Sequence, residues 1–238
     1  MTEYNDFWYS SDDGLRLYAR DYSSALNKNK KAKTILCMHG LTRNSADFED
    51  ISSVLADRYR LIVVDQRGRG LSEYDPDSTH YNLLVYVQDM FVLLNRLGLP
   101  SVILMGTSMG GMMAMMMAAI KPEIVQAIII NDIGPEIAKQ GLDRLKKYVG
   151  KSIPVSNWEE AAKQTAAING IAFPVANDQD WLKFAKRLYR VDDTGCPVLA
   201  YDPAIADPLT DNDETSDDKS VAPDLWPVYE QILDKPYF

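Results

Sequence analysis

Ser108 is the residue of this 238-residue chain whose type and setting point most directly to chemistry. It stands in Met-Gly-Thr-Ser-Met-Gly-Gly, residues 105–111, just after the apolar run 101–105 and just before the methionine-rich run 112–120. A Gly-x-Ser-x-Gly match alone is weak, since Gly and Ser frequencies produce one in a chain of this length roughly one time in twelve. The position carries the weight. A serine between a buried strand and a helix sits on a sharp, strained turn that exposes its Oγ, and Gly106 and Gly110 are small enough to let helix and strand close up. Such a serine attacks acyl carbon and creates an oxyanion, which needs two preorganised backbone N–H donors. Met109 offers one from the helix start. Leu41, in the Met-His-Gly-Leu-Thr-Arg-Asn segment 38–44, is the best candidate for the other. The competing reading is a plain glycine turn into a helix.

The surrounding elements place these residues. Two short strand candidates, around Phe7 to Tyr9 and Leu15 to Asp21, precede the apolar run Thr34 to Met38, which has buried-strand length. Phe48, Ile51, Val54, Leu55 and Tyr59 then recur at helical spacing before the apolar strand Arg60 to Asp65. The unit repeats with Leu84, Val87, Met90, Phe91 and Leu94 on one helical face, a stop at Gly98, the strand before Ser108, a helix over 108–121, and the strand 125–132. Apolar strands alternating with helices predict a doubly wound, mostly parallel α/β sheet covered on both faces. From Ile133 to about Pro223 the strand signal gives way to helical patterns, as with Trp181, Phe184, Ala185, Leu188 and Tyr189. The expected organisation is a core over 1–132, a helical lid over 133–223 and a return to the core over 224–238.

Composition narrows the classes. With 46% hydrophobic and 25% charged residues the chain is an ordinary globular one, and its net charge of −9 argues against nucleic acid as a partner. The longest apolar stretch, 112–120, is far short of the ~20 residues of a membrane helix, and the polar start has no signal-peptide pattern. Cys37 and Cys196 form neither a Cys-x-x-Cys pair nor a disulfide framework, so the expected setting is a reducing cytoplasm with no membrane partner. Asp211, Asp213 and Asp217 superficially suggest a calcium loop, but Ser216 and Ala222 stand where glycine and glutamate are required. No metal site is expected. A nucleotide-binding domain is a third reading, and it lacks both a Gly-x-Gly-x-x-Gly turn after the first strand and a Walker loop.

His39-Gly40, then Asp-Gln-Arg-Gly-Arg-Gly-Leu-Ser over 65–72, then the Ser108 turn, in this order and on these elements, strongly resemble the α/β-hydrolase superfamily. The resemblance covers essentially the whole chain. It implies a lid-bearing serine hydrolase of the esterase, lactonase or carbon–carbon hydrolase type, with Ser108 as nucleophile, Leu41 and Met109 N–H as oxyanion hole, and no cofactor. It also implies that residues 131–136 open the lid, and that Asp65, Arg67, Gly68 and Gly70 match a turn whose preferred role is structural. His39, Gly40 and Arg43 fall at the substrate side of the pocket, with Arg43 and Asn44 either lining its mouth or, for Asn44, capping a helix. Trp158, Trp181 and Trp226 are candidates for an apolar acyl pocket or for core packing.

One part of the pattern is missing. A serine hydroxyl needs a positioned base, which the superfamily supplies as a late histidine, and both histidines here, His39 and His80, precede Ser108. The resemblance implies that the chain stops about 50 residues early, judged from two more strand-helix units. Asp132 is a less usual candidate for the acid. Loss of the histidine typically costs about 10⁶ in turnover, so these residues alone are expected to be nearly inactive. The two leading expectations are therefore a hydrolase of small apolar esters, lactones or related acyl compounds, and a catalytically inactive relative that binds a small ligand or a partner protein.

Overall fold

The computed structural model describes residues 2–23, 32–151, 153–210, 225–234 and 236. Strands β1 (Asn5–Ser10), β2 (Arg16–Tyr22), β3 (Thr34–Met38), β4 (Arg60–Asp65), β5 (Val102–Thr107) and β6 (Val125–Asn131) form one sheet in the order β1-β2-β4-β3-β5-β6. The four strands from β4 to β6 run parallel, while β1 and β2 add as an antiparallel hairpin. This is the mostly parallel α/β sheet that the apolar strands predict.

Strand side chains alternate between two cores, as a two-residue period requires. Ile35, Cys37, Leu61 and Val63 face α1 (Glu49–Leu55), while Leu36, Met38, Ile62, Val64 and Leu104 face α2 (Leu83–Arg96) and α3 (Met109–Ile120). Helix α2 begins where Asn82 Oδ1 accepts from Val85 N–H at 3.1 Å and ends at Gly98, whose φ of 62° suits glycine. Helix α1 keeps only part of its expected face, since Phe48, Leu55 and Tyr59 pack on this core but Ile51 and Val54 do not. Phe48, Ser52 and Ala56, at i, i+4 and i+8, point inward, leaving Ile51 and Val54 exposed. Small side chains let this helix lie close to the sheet, a preference that a search for large apolar residues overlooks.

Beyond β6 come α4 (Lys139–Tyr148), α5 (Trp158–Asn169) and α6 (Asp178–Leu188). The expectation of a purely helical stretch needs one correction, because β7 (Tyr189–Val191) and β8 (Pro197–Leu199) form a small antiparallel hairpin. Three residues per strand are too few to show a period. After α7 (Asp207–Thr210) the acidic run with Asp211, Asp213, Ser216, Asp217 and Ala222 lies outside the described residues. Helix α8 (Trp226–Glu230) follows, and its neighbours Leu225 and Ile232 are buried with α3. Within the expected return to the core over 224–238, the Pro236 carbonyl accepts from Ile128 N–H of β6 at 2.9 Å.

Sheet order locates the crevice. Strand β4 lies on one side of β3 and β5 on the other, so the direction of winding reverses between them, and the C-terminal ends of β3 and β5 frame the switch point where α/β folds bind ligands. Met38 pairs with Gly106, which sets the segment after β3 beside the segment after β5.

Candidate active site

Ser108 occupies the tight turn between β5 and α3 with φ 52° and ψ −116°, a backbone conformation that L residues rarely adopt. The neighbouring glycines make it possible. A Cβ on Gly106 would lie 2.1 Å from the Gly110 carbonyl oxygen, and one on Gly110 would lie 2.1 Å from that of Met38. Ser108 N–H donates to the Asn131 carbonyl at 2.9 Å, and the Ser108 carbonyl accepts from Gly111 N–H at 2.8 Å. The turn is thus tied to β6 on one side and to its own helix on the other.

The loop after β3 lies against this turn. A Cβ on Gly40 would be 3.7 Å from Ser108 Cβ, an ordinary van der Waals separation, so this loop packs directly on the serine turn. His39 holds the loop. Its Nε2 accepts from Gln66 N–H at 3.0 Å, which fixes the proton on Nδ1, and Nδ1–H donates to the Gly40 carbonyl at 2.7 Å. Arg43 N–H donates to the same carbonyl at 3.1 Å. In a trans peptide the carbonyl and the N–H point in opposite directions, so these two bonds also orient the N–H of Leu41. Neither Leu41 N–H nor Met109 N–H has a hydrogen-bond partner among the described residues. Met109 N–H stands at the positive end of α3, where developing negative charge is favoured.

His39 is fully buried, and burial is the main cause that pushes its pKa down to about 3; the charges of Arg69 and Arg43 add to this, and the Gly40 bond opposes it. With both ring nitrogens engaged, it is a neutral brace and leaves no lone pair for Ser108. His80 is engaged elsewhere. Its Nδ1 lies 3.0 Å from Asp75 Oδ2, in a group with Asp13 close enough to consider for a cation, but Arg67 Nη1 already sits 2.9 Å from Asp13 and 2.5 Å from Asp75. Arg67 also forks onto Asp89 at 2.8 and 2.7 Å, and its hydrogen bond to Asp13 holds that carboxyl well below the usual range. The turn that contains it is structural. Asp65, whose pKa is raised by burial, accepts from Ser45 and Leu71 N–H, and a Cβ on Gly70 would strike its carboxylate.

Asp132 follows the carbonyl that receives Ser108 N–H, with φ 57° and an exposed side chain. Its carboxylate bonds to no described residue.

A cleft of about 410 Å³ opens beside Thr107 and His39, lined by Phe48, Phe173 and Phe184 and by the charged side chains of Arg43, Asp47, Asp50, Asp180, Lys183 and Arg187. Arg43 stacks on the Phe184 ring at 4.1 Å and forks onto Asp47 at 2.5 and 2.6 Å. Asn44 caps the turn of helix at Ser45–Phe48, accepting from Ala46 N–H at 2.9 Å, and its amide donates to the Arg187 carbonyl at 2.7 Å. Trp158 and Trp181 do not line this cleft. Trp181 stacks behind Phe184 at 5.9 Å, Trp158 packs in the α5–α6 core, and Trp226 stands against Tyr229. Phe48 and Phe184 are not legible as cleft residues because side chains at helical spacing look alike whether they face a core or a cavity, and Phe173 lies in the loop between α5 and α6, where no period marks it. Arg69, which bonds to the Leu41 carbonyl, was also passed over, since nothing local distinguishes it from an exposed arginine. Cys37 is buried, with its thiol pKa raised by burial, and is inert.

Among the described residues no helix is long and apolar enough to cross a membrane. The chain is 33% identical over 180 residues to a 3-hydroxybutyrate-oligomer hydrolase of Cupriavidus necator, covering 74% of this chain and 61% of that protein. It is 38% identical over 115 residues to a 2-(acetamidomethylene)succinate hydrolase of Mesorhizobium japonicum, covering 48% and 41%. It therefore spans less than two thirds of either relative's length. The crystal structure of an alpha/beta hydrolase from Novosphingobium aromaticivorans superposes with a TM-score of 0.89 at 34% identity, covering 100% of this chain and 80% of that one. Residues 33–193 match the family described as alpha/beta hydrolase fold, and with the Ser108 turn at the switch point of such a sheet, the chain belongs to that family.

Proposed function

We propose that this protein is a serine hydrolase of small, largely apolar acyl compounds such as esters or lactones. The observation that carries the reading is the left-handed, half-buried Ser108 turn with two N–H groups, of Leu41 and Met109, that have no partner among the described residues, on the segments that flank it. In this reading Ser108 Oγ attacks the acyl carbon while a base takes its proton, and the carbonyl electron pair moves onto oxygen, held by those N–H groups. Collapse expels the alcohol, which takes the proton back. Water then attacks the acyl-enzyme by the same route, releasing the acid and restoring the serine.

The helical region over 133–223 is proposed as the lid, with Phe173 and Phe184 presenting the acyl group to the core over 1–132. Residues 224–238 return to the core. Hydrolase names among the relatives support an acyl substrate, and no cofactor is required by these steps. Cytoplasmic location remains part of the proposal.

The base is proposed to come from outside these 238 residues, because His39 is saturated and His80 is bound into the Arg67 cluster. On that account the isolated 238 residues turn over p-nitrophenyl acetate near background, and a turnover number of about 1 s⁻¹ or more would show that they contain a base. The occupied histidines also favour a second reading, an inactive ligand-binding relative. The full natural chain decides between them: hydrolysis of p-nitrophenyl butyrate that drops at least a thousandfold in Ser108→Ala supports the hydrolase. Ester binding without Ser108-dependent turnover supports the alternative.

A further inference from the structure

Arg69 poses a problem that its neighbour Arg67 does not. Both are buried, but Arg67 meets three carboxylates, whereas no carboxylate among the described residues pairs with Arg69, which is 0% exposed. A buried guanidinium without a counter-charge is expensive, so its retention calls for a reason. Its contacts supply one. Nε donates to the Leu41 carbonyl at 2.9 Å, and Nη1 donates to the Arg67 carbonyl at 2.7 Å and to Tyr86 Oη at 2.9 Å. Nη2 lies 4.0 Å from Met109 Sδ, and the guanidinium sits 4.8 Å from the centre of the Tyr86 ring. One side chain therefore touches both residues whose N–H groups are proposed to receive the oxyanion.

We infer that Arg69 is a positioning residue for the oxyanion site, clamping Leu41 and Met109 across the crevice and leaving an unneutralised positive charge behind them. This inference rests on the serine-hydrolase reading. In the resting protein no carboxylate among the described residues faces that charge. When the tetrahedral intermediate forms, negative charge develops in front of Leu41 and Met109, in surroundings where water screens little, and the fixed cation favours it. Arg69 acts through those two residues, being wholly buried itself.

A purely structural arginine predicts something else: lower stability with the partition between kcat and KM unchanged. The test compares the full natural chain with Arg69→Met and Arg69→Lys, at a temperature where circular dichroism shows each folded. Three quantities are read for p-nitrophenyl butyrate: kcat, KM, and inhibition by an alkyl trifluoromethyl ketone, which forms an oxyanion with Ser108. The expected result is a kcat at least tenfold lower in Arg69→Met with KM changed less than threefold. Inhibition by the ketone weakens in proportion, and Arg69→Lys loses less on both counts. If Arg69→Met does not fold, Arg69→Lys decides alone, with a kcat loss of at least threefold expected. Unchanged kcat and ketone inhibition in a folded variant, or a rise in KM alone, overturns the inference. Ser108→Ala separates the two claims. Turnover that depends on Ser108 but not on Arg69 removes this inference only, and turnover that survives Ser108→Ala, or is absent from the parent, removes both.

Discussion

His39 shows how a buried side chain can fix the backbone of the candidate site. It is neutral because it is buried, and its proton is on Nδ1 because Gln66 N–H occupies Nε2. Its folded-state pKa is depressed, so the unfolded chain binds the extra proton first as pH falls below about 6.5. Stability conferred by the neutral ring is complete above that pH and is lost as pH falls towards about 3, at roughly 1.4 kcal/mol per unit. Urea unfolding of the parent and His39→Asn between pH 6.5 and 4 is expected to show that extra slope in the parent alone; equal slopes would mean that His39 is accessible and charged. Ser108, Met109, Leu41 and Gly40 were legible as candidates because a strand–turn–helix at fixed spacing sets where their backbone lies, and the roles proposed for them follow from that geometry. Phe173, Phe184 and Arg69 were not readable, because their roles arise from what distant segments bring to them.

Strands β3 and β4 have the bounds that their apolar runs suggest, since a strand buried on both faces is apolar throughout its interior and the polar Thr34, Arg60 and Asp65 mark where it starts or stops. The inward-facing Ser52 and Ala56 of α1 and the β7–β8 hairpin are not legible, because small residues and three-residue strands give hydrophobic pattern little to work on. The β5–α3 junction turns on glycine, and the consequence is measurable. Gly110→Ala puts a methyl group 2.1 Å from the Met38 carbonyl oxygen, and is expected to destabilise by about 3 kcal/mol or more in urea unfolding. Gly141→Ala, inside α4 with nothing within 4 Å of the new methyl group, is expected to stabilise by about 0.4–1 kcal/mol. Similar effects at the two positions would contradict the packing described for the junction.

Across the molecule, the region after β6 is fastened to the sheet at the same loops that build the site. Gly70 N–H donates to the Ala200 carbonyl and Asp202 N–H to that of Gly68, both at 2.8 Å, while Tyr81 Oη donates to Asp202 at 2.6 Å and accepts from Asp75 N–H at 2.8 Å. Sheet and helical region are therefore expected to unfold as one unit. Tyr81→Phe leaves Asp75 N–H and Asp202 without that hydroxyl, and a loss of about 1–2 kcal/mol with a single transition by fluorescence and circular dichroism is expected; two separate transitions would show an independent helical region. The central claim is that this architecture serves Ser108 as a nucleophile. Its most direct test is to treat the full natural chain with a fluorophosphonate and locate the adduct by peptide mass spectrometry. The account predicts one adduct, on the peptide that carries Ser108, absent in Ser108→Ala. An unlabelled parent, or labelling that persists in Ser108→Ala, would contradict it.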